Sequence, residues 1–330
     1  MIKAIYSFNG EFRTENDASA ITEIVNKKPG MVWVDILLDN HELSHEETVL
    51  LTEAFKFHEL SLEDCLFPQY YPRMEEFENY VFSSVHGIQL KPNYLQEFDE
   101  SIYELNVFAG KGFVVTVHTE ELFFIETIFE KAKARPQIEL KSLANLMYNI
   151  FNKVVSSYEF TLEKIDDKMD ILEDAILADP EKKHMEEILN IKKVILAIRK
   201  IAESQQTAYV YFTRSNNSII TKEYTAYFRD IFFQCARINQ SVVIRSQMIS
   251  GLLEVYMSSV TVKLNEAMKV LTIIATIVMP VFIISSYFGM NVKFPEYSLF
   301  GEAGAWFFAI GLMIAAIVAL IVYFQKKKWF

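Results

Sequence analysis

The chain has 330 residues, 51% of them apolar, a formal net charge of −11 and a mean hydropathy just above zero. At 23% charged residues it is not a disordered protein, and its acidity argues against nucleic acid as a partner, because phosphate binding needs a basic face. Residues 270–330 hold four lysines and two glutamates, a net +2, which leaves −13 for the first 269: an acidic surface suited to meeting cations, followed by an apolar tail.

In chain order, Ile2–Phe8 and Met31–Leu38 read as strands, Ser44–Phe57 as a helix and Tyr80–Ile88 as a strand. Ser101–Phe108 and Phe113–His118 form a strand pair around the turn Ala109-Gly110-Lys111-Gly112, and Phe123–Ala134 reads as a helix. After Pro136 the apolar spacing becomes helical, and between Gln137 and Met279 only Pro180 and Gly251 interrupt the lack of proline and glycine. Three long helices are predicted, at Ile138–Ala178, Glu181–Thr213 and Ile219–Phe288, broken at Asp179-Pro180 and Arg214–Ser218.

Two uncharged runs close the chain, Val270–Met290 with 21 residues and Ala303–Gln325 with 23. At about 1.5 Å per residue each is long enough to cross a bilayer core of about 30 Å. Lys263 and Lys269 precede the first span and Lys326, Lys327 and Lys328 follow the second, while the linking loop holds one lysine and two glutamates. The positive-inside rule then places both ends in the cytoplasm, and the first residues carry no apolar leader. The expected layout is an α/β cytoplasmic domain (1–135), a stalk of long helices (136–269), a first span (270–290), an outer loop (291–302), a second span (303–325) and a basic cytoplasmic tail (326–330).

No nucleotide-binding loop, dinucleotide fingerprint or nucleophile elbow occurs, so no enzyme is read here, and transport would run on an ion gradient. His41-Glu42-Leu43-Ser44-His45 spells a zinc-protease motif, which requires both histidines on one helix. Ser44 with Glu47 instead makes a capping box that divides the motif between loop and helix. Glu163, Asp166, Asp167, Asp170, Glu173 and Asp174, mixed with Lys164 and Lys168, read as a solvated helical face. The two cysteines, Cys65 and Cys235, form no disulfide framework or zinc pattern and suit a reducing compartment.

The first span ends Tyr287-Phe288-Gly289-Met290-Asn291. With His58–Phe82, Tyr227-Phe228-Arg229-Asp230, Ser250–Val260 and the closing Lys326-Lys327-Lys328-Trp329, it resembles the CorA family of divalent-cation channels, whose signature is Gly-Met-Asn at the outer end of the first of two C-terminal spans. The resemblance implies a funnel-shaped homopentamer in the cell membrane with the first span lining one pore. One hairpin cannot enclose a water-filled path, which independently calls for several copies around an axis.

By that resemblance the selectivity filter is Gly289, Met290 and Asn291. Asn265, Met268, Leu271, Ala275, Met279, Phe282 and Ser286 make a continuous helical face for the pore and its gate, and none of them is charged. Mg2+ releases its waters reluctantly, so amide and carbonyl oxygens passing a hydrated ion suit it. Magnesium is expected both as cargo and as a regulatory ion held between cytoplasmic domains by Asp64, with Glu63 beside it, and Asp230. Lys326–Lys328 would form a basic ring. Cobalt, nickel or zinc transport on the same scaffold is the alternative. The chain departs from common relatives at Phe288, where tyrosine is usual, at Phe282, where threonine is frequent, at Ser285 and Ser286, where alanine and glycine are usual, and at Asn152, where some carry an acidic residue.

Overall fold

A computed structural model describes the chain apart from residues 40, 41, 68–70, 214–221, 291–294, 328 and 330, and only the backbone of 222, 223, 295–300 and 302. Its strands are β1 (Ile2–Phe8), β2 (Glu11–Glu15), β3 (Met31–Leu37), β4 (Arg73–Glu76), β5 (Tyr80–Ile88), β6 (Ile102–Gly110) and β7 (Phe113–His118). They form one sheet in the order β2–β1–β3–β7–β6–β5–β4, with only β3 and β7 parallel.

The inner strands are covered on both faces: all nine residues of β5 are buried, Ser83, Ser84 and His86 among them. The predicted hairpin closes at Lys111-Gly112, tighter than expected, because Ala109 and Gly110 still pair with Val114 and Phe113. Gly112 supplies the turn's positive φ of 92°. The two strands that the sequence pattern does not announce, β2 and β4, are the sheet edges. There, charged side chains (Glu-Phe-Arg-Thr-Glu and Arg-Met-Glu-Glu) replace apolar alternation.

Helices α1 (Ala18–Asn26), α2 (His45–Val49), α3 (Glu59–Leu66) and α4 (Phe123–Ala134) accompany the sheet. Asp17 caps α1 through the Ala20 amide at 2.8 Å. Ser44 and Glu47 make the expected capping box on α2, at 3.2 and 3.0 Å. The helix predicted over Ser44–Phe57 is α-helical only to Val49 and continues as a π-helical turn over Leu50–Ala54.

Four-residue α5 (Pro136–Glu139) precedes three long helices, α6 (Leu143–Ala178), α7 (Lys182–Tyr209) and α8 (Lys222–Phe288), and α9 (Pro295–Lys326) ends the chain. The first long helix therefore starts at Leu143 rather than Ile138. α6 buries Met147, Ile150, Phe151, Val154, Tyr158, Leu162, Ile165, Met169 and Leu172, a stripe at three- and four-residue spacing. Phe151 lies 5.2 Å from Tyr209, 5.5 Å from Phe212 and 6.3 Å from Phe228, joining α6 to α7 and α8. Tyr158 donates to the His86 carbonyl at 2.6 Å, and Gln205 accepts from the His86 amide at 3.2 Å, which docks α6 and α7 on β5.

The chain divides into two compact units, Met1–Ala175 with Glu181–Leu253, and Ile176–Pro180 with Glu254–Phe330. In the second, α9 is broken at Gly301, whose φ is 66°.

Candidate ion path and cytoplasmic metal site

Among the described residues two helices are long and apolar enough to cross a membrane, within Tyr224–Gly289 and over Ala303–Lys326. Between Val270 and Met290 the α8 segment has no charge, and Met268, Leu271, Met279 and Phe282 are each more than 60% exposed. Asn265, Ala275 and Ser286 of the same stripe are exposed as well. Ile274 and Ile283 on other faces are just as open. Ile273 is buried, but a helix this apolar with most of its surface open needs lipid on some faces and other protein on the rest. Its polar groups are met internally: Thr272 donates to the Met268 carbonyl at 2.8 Å and Thr276 to that of Thr272 at 2.7 Å.

The C-terminal end of α8 is built around Gly289. Its amide donates to the Ser285 carbonyl at 2.9 Å, and a Cβ added there would lie 3.0 Å from that same oxygen. The Met290 amide donates to the Tyr287 carbonyl at 3.3 Å. The last-turn carbonyls of a helix carry about half a negative charge, so the segment ends in an oxygen-lined negative pole without a carboxylate. Asn291, the third residue of the expected filter, lies outside the described residues. Lys326 and Lys327 are exposed at the end of α9, and Lys328 lies outside the described residues.

In the N-terminal domain, α3 is started by His58, whose Nδ1 accepts from the Leu60 amide at 3.2 Å. Its inner face is held by Ser61, 2.9 Å from the Tyr80 hydroxyl. This turns Glu63 outward, exposed, and leaves Asp64 half-buried and ion-paired with Arg73 of β4. Asp230 stands exposed on α8 and accepts from the Gln234 side chain at 2.7 Å. Burial, then the charge of Asp230, then Tyr227 raise the Tyr148 phenol above its usual range. Among the described residues no three acidic, histidine or cysteine side chains converge on one point: one copy does not bring Glu63, Asp64 and Asp230 together.

Several residues escaped the sequence reading. Within the supposed solvated face of α6, Asp166 accepts from Nε and Nη2 of Arg245, at 2.8 and 2.5 Å. Lys263 reaches Asp179 at 2.5 Å. Both pairs join residues more than 75 positions apart, so no local pattern signals them. His41 of the protease-like motif lies outside the described residues. The capping box at Ser44 puts His45 at the start of α2.

The sequence pattern of the CorA-like Mg2+ transporter proteins matches residues 28–327. The cobalt/magnesium transport protein CorA of Thermotoga maritima is 35% identical over 286 residues, covering 84% of this chain and 78% of that one. In fold, the complete structure of the CorA magnesium transporter from Methanocaldococcus jannaschii superposes with a TM-score of 0.81 at 20% identity, over 100% of this chain and 99% of that one. Full-length CmaX gives 0.73 at 17% identity, over 100% and 98%. A mixed sheet domain, long helices and two apolar C-terminal helices thus carry a family pattern that runs through nearly all of them, and the chain belongs to the CorA-like Mg2+ transporter family.

Proposed function

We propose that this membrane protein carries Mg2+ into the cytoplasm through a pore made by α8 from five copies of the chain, and that cytoplasmic Mg2+ closes it. The observation that carries the reading is the family pattern over residues 28–327 together with an uncharged, uncovered α8 segment ending on Gly289 and Met290. Lys263, Lys269 and Lys326–Lys328, flanking the spans, support the reading that both termini face the cytoplasm.

The pore face runs through Asn265, Met268, Leu271, Ala275, Met279, Phe282 and Ser286. Its apolar rings close by dewetting. Gly289 and Met290 carbonyls, with the Asn291 amide, form the filter and take the ion still hydrated, since Mg2+ gives up water reluctantly. Two charges falling through 100 mV gain about 4.6 kcal/mol, enough for more than about thousandfold accumulation without a pump.

Asp64, Glu63 and Asp230 offer hard carboxylate oxygens, the donors Mg2+ takes one or two at a time beside its waters. Because one copy does not assemble them, the site is shared: Asp64 and Glu63 from one subunit, Asp230 from its neighbour. A bound ion supplies positive charge between these carboxylates. Without it they repel, and the ring shifts toward conducting states.

A second reading, cobalt transport, is favoured by the name of the Thermotoga relative and by the Met268 and Met279 thioethers on the face. Flux into liposomes at low internal Mg2+ and inside-negative voltage, run with Mg2+, Co2+, Ni2+ and Zn2+, tests both. Mg2+ uptake blocked by cobalt hexaammine and lowered by Asn291→Ala is expected. Liposomes tight to every divalent ion would remove the proposal.

A further inference from the structure

Arg73 lies where a regulatory ion has to compete with it. The pairing of β4 with β5, Arg73 opposite Ser84 and Met74 opposite Ser83, fixes its backbone beside α3. Its guanidinium pairs with the Asp64 carboxylate and stands 3.7 Å from Glu75 Oε1 and 6.0 Å from the centre of the Phe82 ring. The Asp64 side chain is only 16% exposed and that of Arg73 34%, so the pair is partly withdrawn from water. The Arg73 Nε is buried with no acceptor among the described residues.

We propose that Arg73 is an internal counter-ion that exchanges with Mg2+ at Asp64 and so sets the concentration at which the sensor fills. This rests on the reading of Asp64 as a sensor ligand. A guanidinium and a hydrated dication both need the outward lone pairs of the same half-buried carboxylate, and Arg is the side chain whose planar fork fits a carboxylate best. Arg73 Nη2 meets Asp64 Oδ2, so an ion that takes that oxygen has to displace the guanidinium. Glu75, 3.7 Å from its Nη1 and 44% exposed, is the place for the released charge to settle. In the empty sensor Asp64 is compensated by Arg73, and the residual repulsion falls on Glu63 and Asp230. Closing the ring then trades one cation for another, which keeps the sensor weak enough to follow cytoplasmic Mg2+ rather than saturate.

The test uses the full chain in detergent, with chymotrypsin protection titrated against Mg2+ as a readout independent of transport. Arg73→Gln should lower the half-protecting Mg2+ by about fivefold to tenfold, the scale of a partly exposed charge-assisted pair, with the plateau unchanged. Arg73→Lys keeps the charge but loses the fork and should fall about twofold to threefold. It also decides the matter should the glutamine variant fail to fold. Glu75→Gln should move the midpoint upward. Midpoints for both Arg73 variants equal to wild type or higher, with Asp64→Asn abolishing protection, would overturn the counter-ion role alone. An Asp64→Asn protein that titrates like wild type would overturn the sensor reading and this inference with it.

Discussion

Asp35 is the most consequential single carboxylate of the N-terminal domain. It is 2% exposed in the middle of β3, with His118 Nε2 at 3.2 Å, Thr116 Oγ1 at 2.5 Å and Lys3 Nζ at 3.5 Å. His118 is held from its other side by the Glu120 carbonyl, 2.6 Å from Nδ1, so both ring nitrogens face oxygen. Burial pushes the Asp35 carboxyl up, but the hydrogen bond and charge of His118, the Thr116 hydroxyl and Lys3 outweigh it and hold the group below its ordinary range. Asp35→Ala would strand His118 and Lys3 beside an empty acceptor, a cost of about 3–5 kcal/mol for one partner of a buried pair. At about 2–4 °C per kcal/mol for a domain of this size, the melting temperature at pH 7 should fall by about 6–20 °C. Because the folded pKa is depressed, Asp35 stabilises the protein above its unfolded pKa. That contribution disappears as pH drops through the lower folded value, so the gap between wild type and variant should be full at pH 7 and narrow below about pH 4. Thermal unfolding followed by fluorescence, with Trp33 fully buried beside the site, reads both quantities. A shift under about 2 °C, or a gap that stays constant down to pH 3, would refute the reasoning.

Phe151→Ala removes a fully buried ring from the junction of α6, α7 and α8 and should cost about 3–5 kcal/mol, read as a lowered unfolding midpoint in denaturant. Gly289→Val forces a side chain to within 3.0 Å of the Ser285 carbonyl. It should cut Mg2+ flux in liposomes while the oligomer still elutes at its wild-type size. Asp230→Lys replaces the proposed sensor carboxylate with a positive charge and should raise the half-inhibiting cytoplasmic Mg2+ by about tenfold, for ~1.4 kcal/mol of lost bridging. Inhibition unchanged from wild type would remove Asp230 from the sensor.

Where periodicity reports burial on one or both faces, residue patterns located the elements closely. β1, β5 and α4 occupy the predicted spans, and the breaks around Asp179-Pro180 separate α6 from α7 as expected. The failures share a cause. β2 and β4 are edges whose charges protect them from pairing with other chains, so the alternation that betrays inner strands is missing. α1 and α3 are too short for a helical stripe to declare itself. At the site, Asp64 and Asp230 could be singled out only through a resemblance. Their surroundings (Arg73 on an edge strand, Gln234 one turn onward, Tyr148 on another helix) come from pairings that no spacing encodes. Asp166 shows the converse. It belongs to a charge-rich helical face whose other acids are exposed, and a single distant arginine takes it out of that face.

The distribution of charge follows from what a doubly charged, tightly hydrated ion permits. A carboxylate inside an apolar span would bind such an ion strongly, and conduction needs binding weak enough to release it. Residues 270–290 contain no charge, and the first 269 residues carry −13. The acidic domain can raise the local cation concentration without holding any one ion. Within that domain the proposed sensor faces the opposite difficulty, since bare carboxylates brought together between copies would keep Mg2+ at any cytoplasmic level. A built-in guanidinium on Asp64 answers it, because exchange between two cations costs less selectivity than leaving the site empty costs in repulsion. Weak oxygen dipoles at the mouth of the span and a pre-neutralised carboxylate in the domain are two forms of the same requirement, that Mg2+ be recognised without being kept.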